Sequence, residues 1–334
     1  MDYINYVKQS PMMGQIGLGG GAASLGRFTS TAATGPRAVW GGGQGQYGNK
    51  NTIQFITISS PGNASDFGDL DYGARRWLAG CSNGSRGLFG GGYNVNNISY
   101  ITIATESNSQ DFGDLTMTRY ALGSCSSNTR GIFGGGDASG NKDTIDYVTI
   151  ASTGNASDFG DMYDDIYSTT GTASNTRGIF AGGTSGGGDT YSNSMQYITI
   201  ASTGNASDFG NLTVGSRLMG GVDNDTRACY AGGESASNTY RNIIDYVTIA
   251  STSNATDFGD LINDKSGGMA GAADSDHGVT GIDRGVFGGG YSTDSPPYQN
   301  TIQYITISNT SNATDFGDLI GTSNQYSTAG CSGT

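Results

Sequence analysis

Residues Tyr120–Met162 read YALGSCSSNTRGIFGGGDASGNKDTIDYVTIASTGNASDFGDM, and this stretch decides the fold. YALGSCSSNTR is a run of small residues suited to a crowded strand. GIFGGG is a short apolar strand stopped by glycines, which allow tight turns and positive φ angles. In TIDYVTI, Ile145 and Tyr147 point to one face, and Val148 and Ile150 to the other, because strand side chains alternate. Both faces are apolar, so this strand needs a sheet packed on each side. SDFGDM then closes the unit with an aromatic among carboxylates.

The same unit recurs along the chain. Glycine doublets begin at Gly42, Gly91, Gly135, Gly182, Gly232 and Gly289. Each is preceded by an arginine: Arg37, Arg86, Arg130, Arg177, Arg227 and Arg284. A DFGD or DFGN motif follows, with its aromatic at Phe67, Phe112, Phe159, Phe209, Phe258 and Phe316. Six copies in one order, 44 to 58 residues apart, match units of four short strands better than helical repeats.

Composition agrees with a folded, glycine-rich, all-β chain. Of 334 residues, 58 are glycine, against a usual share of about 7%. The net charge of −13 is mild for this length, so repulsion does not hold the chain open. An acidic chain is ill suited to a phosphate backbone, which excludes nucleic acid as the expected partner. No stretch reaches the roughly 18 apolar residues of a membrane span, so no membrane insertion is expected. The start, MDYINYVKQSPMM, is not a secretory signal, which implies synthesis in a cytoplasm. The four cysteines form no CxxC and His277 is the single histidine, so a zinc site is not expected. The N-A-S/T triplets at Asn63, Asn155, Asn205, Asn254 and Asn312 read as turn residues.

The unit resembles the kelch repeat: a small inner strand, an apolar second strand, a double glycine, a third strand carrying Tyr, and an aromatic in the fourth. Phe159 and its copies stand where kelch repeats usually carry Trp, and Arg76, Arg119 and Arg217 match the kelch arginine before the inner strand. The resemblance covers residues 28–334 and implies a six-bladed β-propeller with four antiparallel strands per blade. The wording TRGIFGGG…TIDYVTIASTGNASDFGDL is also similar to repeat proteins of tailed bacteriophages, particularly those of cyanobacteria and other aquatic bacteria. That similarity implies a virion structural protein, tail- or fibre-associated, that contacts other virion proteins or a host surface glycan or protein. The alternative reading is a carbohydrate-active propeller enzyme. A galactose-oxidase-like copper site needs two histidines, however, and a sialidase-like centre should break the repeat. No catalytic residue and no cofactor is therefore assigned.

Closing such a ring needs one chain end to complete the blade begun by the other. Phe28–Pro36 and Tyr326–Thr334 both read as the missing inner strand, and the C-terminal segment is preferred. Residues 1–27 carry no DFGD marker but many apolar side chains, and are read as a docking arm for another virion protein. The DFGD motifs resemble the Asp box of sialidases, but Ala156 stands where that box wants Ser. They read instead as turns, each a packed Phe flanked by carboxylates, with the six arginines pairing to those carboxylates. Cys81, Cys125 and Cys331 occupy matching inner-strand positions and Cys229 a second strand; all read as small buried thiols. In the sixth unit, Asp274, Asp276 and Asp283 offer hard oxygen donors for a calcium ion, although a solvated acidic loop fits the same residues. Asn263–Asp283 and Tyr291–Gln299 are the longest departures from the repeat and are expected to form the contact surface.

Overall fold

A computed structural model describes residues 35–185, 190–236, 239–262, 267–273, 283–292, 297–320 and 326–334. They form six four-stranded antiparallel sheets, a few two-residue strands and no helix. Sheets two to six run innermost to outermost in chain order: sheet two is Ala79–Ser82, Arg86–Gly90, Asn97–Thr102 and Gln110–Asp114; sheet four is Thr170–Ala173, Arg177–Ala181, Ser194–Thr199 and Ser207–Asn211; sheet five is Gly220–Asp223, Arg227–Ala231, Ile243–Thr248 and Thr256–Asp260; sheet six is Ala270–Ala273, Arg284–Gly288, Thr301–Thr306 and Thr314–Asp318. Sheet three is Gly123–Ser126, Arg130–Gly134, Thr144–Thr149 and Ser157–Asp161. Sheet one is completed from the far end: Ala329–Gly333 pairs with Arg37–Gly41, setting Cys331 opposite Val39. The C-terminal segment therefore holds the innermost slot of sheet one. The competing residues 28–34 and the arm at 1–27 lie outside the described residues.

The core lies between sheets. Ile145 and Tyr147 pack in one apolar cluster with Phe180 and Ile198 of sheet four. Val148, from the same strand, and Ile150, just past its end, pack in another with Cys81 and Leu88 of sheet two. Among the described residues, six such clusters occur, one between each neighbouring pair of sheets, and the one holding Trp40, Ile58, Val286 and Ile302 joins sheet six to sheet one. The second strands bring the largest side chains: Trp40, Phe89, Phe133, Phe180, Tyr230 and Phe287, all essentially inaccessible to water. Each such ring contributes about 1.5–3 kcal/mol by burial. Space for the rings comes from glycines: a Cβ on Gly90 would lie 2.7 Å from the Phe133 ring, and one on Gly41 would lie 3.0 Å from Phe89.

The DFGD motif corrects one expectation. It is the outermost strand itself, as in Ser157–Asp161, not a turn before it. The pairing with the third strand slips at Ile145/Asp146, a β-bulge repeated in all six sheets. Glycine is required at the bulge. Gly113 has φ of 145°, and an added Cβ would lie 2.5 Å from the Gly154 backbone in the next sheet. The bulge brings each outermost strand against its neighbour, and Phe159 packs edge-on to Tyr147 at 5.9 Å.

Candidate functional site

The six arginines do not pair with the DFGD carboxylates. Among the described residues, the ion pairs are Arg37–Glu106, Arg119–Asp146 and Arg217–Glu234. Each repeat arginine instead places its guanidinium over the third-strand aromatic of its own sheet, as Arg86 does over Tyr100 at 4.4 Å. It then donates to a backbone carbonyl of the next sheet. Arg37 reaches Ile103, Arg86 Ile150, Arg130 Ile200, Arg177 Ile249 and Arg227 Ile307, and Arg284 of sheet six returns to Ile58 of sheet one. The physical reason is access. The guanidinium stands at the end of the sheet where the third strand finishes, and a fixed carbonyl one sheet away lies within its reach.

Further joins follow the same cycle. The Oδ1 atoms of Asn63, Asn108, Asn155, Asn205, Asn254 and Asn312 accept from the backbone N–H of the last motif residue in the preceding sheet, at 3.0 to 3.1 Å. The sequon asparagines are thus turn residues whose side chains clasp the neighbouring sheet. A buried polar residue in the third strand makes another join: Gln54, Ser99, Asp146, Gln196, Asp245 or Gln303. Five of these six accept from a backbone N–H that follows the outermost strand of the preceding sheet. Burial raises the carboxyl pKa of Asp245, partly offset by hydrogen bonds from Thr213.

Where the innermost strands meet, the backbone itself fills the space. The innermost strands touch in a cycle, and a Cβ on Gly80 would lie 2.6 Å from the carbonyl oxygen of Gly330. The residue two positions before each innermost strand is left-handed: Trp77, Ala121, Ser168, Leu218, Gly268 and Ser327, with φ between 54° and 70°. Their backbones form a closed ring of hydrogen bonds, in which each N–H donates to the carbonyl of its counterpart in the preceding sheet, at 2.6 to 3.2 Å. Left-handed backbone costs an L-residue roughly 1–2 kcal/mol, which one net hydrogen bond of about 1 kcal/mol and the surrounding packing offset. The cavities lined by the innermost strands and the residues before them are small, about 70 to 100 Å³. A hollow of about 520 Å³ lies at the edge of sheets four and five, beside Tyr191 and Arg241.

Because the strands alternate in direction, loops between second and third strands and connections between sheets emerge at one end. Among the described residues, most tyrosines that do not underlie a repeat arginine gather there. Trp77, Tyr93 and Tyr120 form a triangle with centroids 5.2 to 6.0 Å apart. The Arg76 guanidinium lies 4.1 Å from the Trp77 ring centroid and 5.3 Å from that of Tyr93. It donates to Gln44 Oε1, which also accepts from the Tyr326 hydroxyl at 2.8 Å. Tyr326 stacks on Tyr298 and touches Tyr291, which meets Tyr240. Across the ring, Arg217 pairs with Glu234 through two hydrogen bonds and reaches the Tyr167 hydroxyl. No single motif marks this arc in the sequence, since its members occupy different repeat positions.

The arginine matched to the kelch pattern also needs correction. Arg75, not Arg76, is the counterpart of Arg119. Both are buried, Arg75 donating to the carbonyls of Gly91 and Asn97 and Arg119 to those of Gly135 and Thr144. Burial lowers the Arg75 pKa to about 10 and also lowers that of Arg119. Arg76 and Arg217 stand one residue later, on the aromatic end.

Asp274 and Asp276 lie outside the described residues. Asp283 accepts from Asn224 Nδ2 at 2.6 Å and from the Ser308 N–H at 2.9 Å, so its carboxylate joins sheets five and six. Among the described residues, no three His, Cys, Asp or Glu side chains converge on a metal position, and no helix is long and apolar enough to cross a membrane. Most of Asn263–Asp283 and part of Tyr291–Gln299 also lie outside the described residues; Tyr291 and Tyr298 belong to the aromatic arc. No protein-family model matches the chain, and no curated protein matches it.

Proposed function

We propose that the six sheets are the blades of a kelch-like β-propeller, and that the chain is a structural and binding component of a tailed-phage particle. One observation carries the reading. The arginines, asparagines and third-strand polar residues that recur in every unit join neighbouring sheets, while aromatic side chains that break the repeat collect at one end. A rigid scaffold with one irregular face suits contact with a partner. The axial cavities are well below the roughly 300 Å³ at which ligand pockets begin, which favours a contact surface over an axial active site. The wording of the repeat supports a virion location at a tail or fibre, with residues 1–27 attaching the chain to another virion protein. The test is a cryo-EM map of the parent particle. Density for this fold at an ordered position supports the proposal. Absence of the protein from purified particles, or glycan hydrolysis by the isolated chain, overturns it.

A further inference from the structure

We infer that the aromatic arc at the loop end, centred on Arg76, Trp77, Tyr93 and Tyr120, is a binding site for neutral pyranose saccharides. The inference deepens the proposed function and rests on its reading of this end as the contact face. The arc breaks the repeat where the fold does not ask it to. The left-handed position held by Trp77 is Ala, Ser, Leu, Gly and Ser in the other five sheets. Closing the backbone ring there needs no aromatic. Tyr93 is 45% exposed in its loop. Trp77 and Tyr120 stack at 5.3 Å with 26° between their planes, and Arg76 lies against the same group.

Aromatic faces carry partial negative charge and attract the weakly positive C–H edges of a sugar ring. The groups beside them suit hydroxyls: the Arg76 guanidinium, the Gln44 side-chain amide and the Tyr326 hydroxyl, already linked through Gln44 Oε1. Few polar groups around apolar faces is the usual make-up of a small-ligand site. Charge selects the class. Asp137 lies beside Tyr120 at the edge of the arc, and the whole chain carries −13. The chain's net negative charge would repel a polyanion, whereas a neutral oligosaccharide meets no such barrier.

The protein supplies its own reporter. Of its two tryptophans, Trp40 is wholly buried, with Nε1 bonded to the Ala270 carbonyl. Only Trp77 can meet a ligand, so its emission reads the site directly. The experiment uses the full chain on an array of neutral and sialylated oligosaccharides. Fluorescence and calorimetric titrations with the best neutral binder then follow. Saturable binding to a neutral glycan with a shift in Trp77 emission is expected. Tyr93→Ala should weaken it at least about tenfold, and Trp77→Ser should abolish both. Serine already occupies the equivalent positions 168 and 327, so that variant folds, and an unchanged melting temperature verifies it. Binding to no glycan, to sialylated glycans alone, or equally well in both variants overturns the inference. Concentration-dependent dimerisation abolished by the same variants would also overturn it, by giving the arc to a second copy. A particle map containing the protein alongside a blank array would sink the saccharide site and leave the virion role standing.

Discussion

Asn63 Oδ1 accepts a 3.1 Å hydrogen bond from the backbone N–H of Asp318, 255 residues further along the chain. The same bond recurs between the other neighbouring sheets, so the junction of sheets six and one is built like the others. What differs is the covalent path, because sheet one takes its innermost strand from Ala329–Gly333. Asn63→Ala and Asn155→Ala should therefore each cost about 1 kcal/mol, measured by chemical denaturation. Deleting residues 329–334 should do far more, uncovering the inner edge of Arg37–Gly41, where Trp40 faces Gly330, and the Val39 cluster that holds Ala329 and Cys331. A red-shifted Trp40 emission and loss of the full-length thermal transition are expected. A deletion variant melting at the wild-type temperature would contradict this account of closure.

Glycine at the bulge is set by two independent constraints, a φ of 145° at Gly113 and the Gly154 backbone 2.5 Å from an added Cβ. Gly113→Ala should cost about 3 kcal/mol or more, in the range of strained-backbone and overpacking changes. Gly154 itself has open space around its Cβ position. Gly154→Ala should change stability by no more than about 0.5 kcal/mol. Equal effects in urea titrations would show that the tight contact does not govern this position.

The repeat arginines give a test based on salt. Arg86 lies over Tyr100 and donates to the Ile150 carbonyl at 2.8 Å, and neither partner is a charge that salt could screen as in an ion pair. Arg86→Ala should cost about 1–2 kcal/mol, and that cost should be nearly the same at low salt and in 1 M salt, where the Debye length is about 3 Å. Asp111→Asn and Asp114→Asn should leave the role of Arg86 intact. If the arginine's contribution disappeared with salt or with either aspartate, the carboxylate pairing expected from the sequence would be right after all.

These results also define what the sequence could reveal. The number of units, the two-sided third strand and the segment completing sheet one were legible, because each rests on a repeated residue type or an apolar period. The partners of the arginines were not, because every residue has a carbonyl and the Ile150 oxygen leaves no mark in the sequence. The DFGD aspartates recurred with the arginines and looked like partners by default. The buried third-strand position was hidden by its own tolerance: Gln, Ser and Asp all fit where an acceptor is needed. The ring through residues 77, 121, 168, 218, 268 and 327 uses backbone alone, so no side-chain signature marks it. The Arg75-Arg76 tandem hid a one-residue offset that only the contacts of Arg119 resolve.

Arg119 and Asp146 form an ion pair at 2.7 Å with both side chains fully buried. Removing either partner strands a charge in the core, so Arg119→Ala or Asp146→Ala should cost about 3–5 kcal/mol. Sheet four solves the same junction without charge, with Ile166 and Gln196 at the matching positions. The double variant Arg119→Ile with Asp146→Gln should therefore be more stable than either alanine variant. Calorimetric melting of the three proteins decides it; a double variant less stable than both would mean the ion pair cannot be exchanged for its neighbour's solution.

The thiols provide the last test. None of Cys81, Cys125, Cys229 and Cys331 is in a disulfide, and all are buried. Cys81 sits with its sulfur 3.0 Å from where a Cβ on Gly131 would lie. Burial pushes its pKa from 9.0 up to about 12. The thiolate is the reactive form, so a neutral, enclosed thiol should resist alkylation. The folded protein should therefore consume almost no thiol reagent at pH 8, and the denatured protein should consume four equivalents, matching its four cysteines. The sign of the pH effect follows from the same shift. The folded state holds the proton more tightly than the unfolded chain, so this stabilisation is complete below pH 9 and is lost as pH rises towards 12. Cys81→Ala removes the titrating group, so its melting temperature should fall less steeply than the wild type's between pH 9 and 11. Parallel melting curves for the two proteins across that range, or rapid labelling of the folded protein at pH 8, would show that Cys81 is not held as a buried neutral thiol.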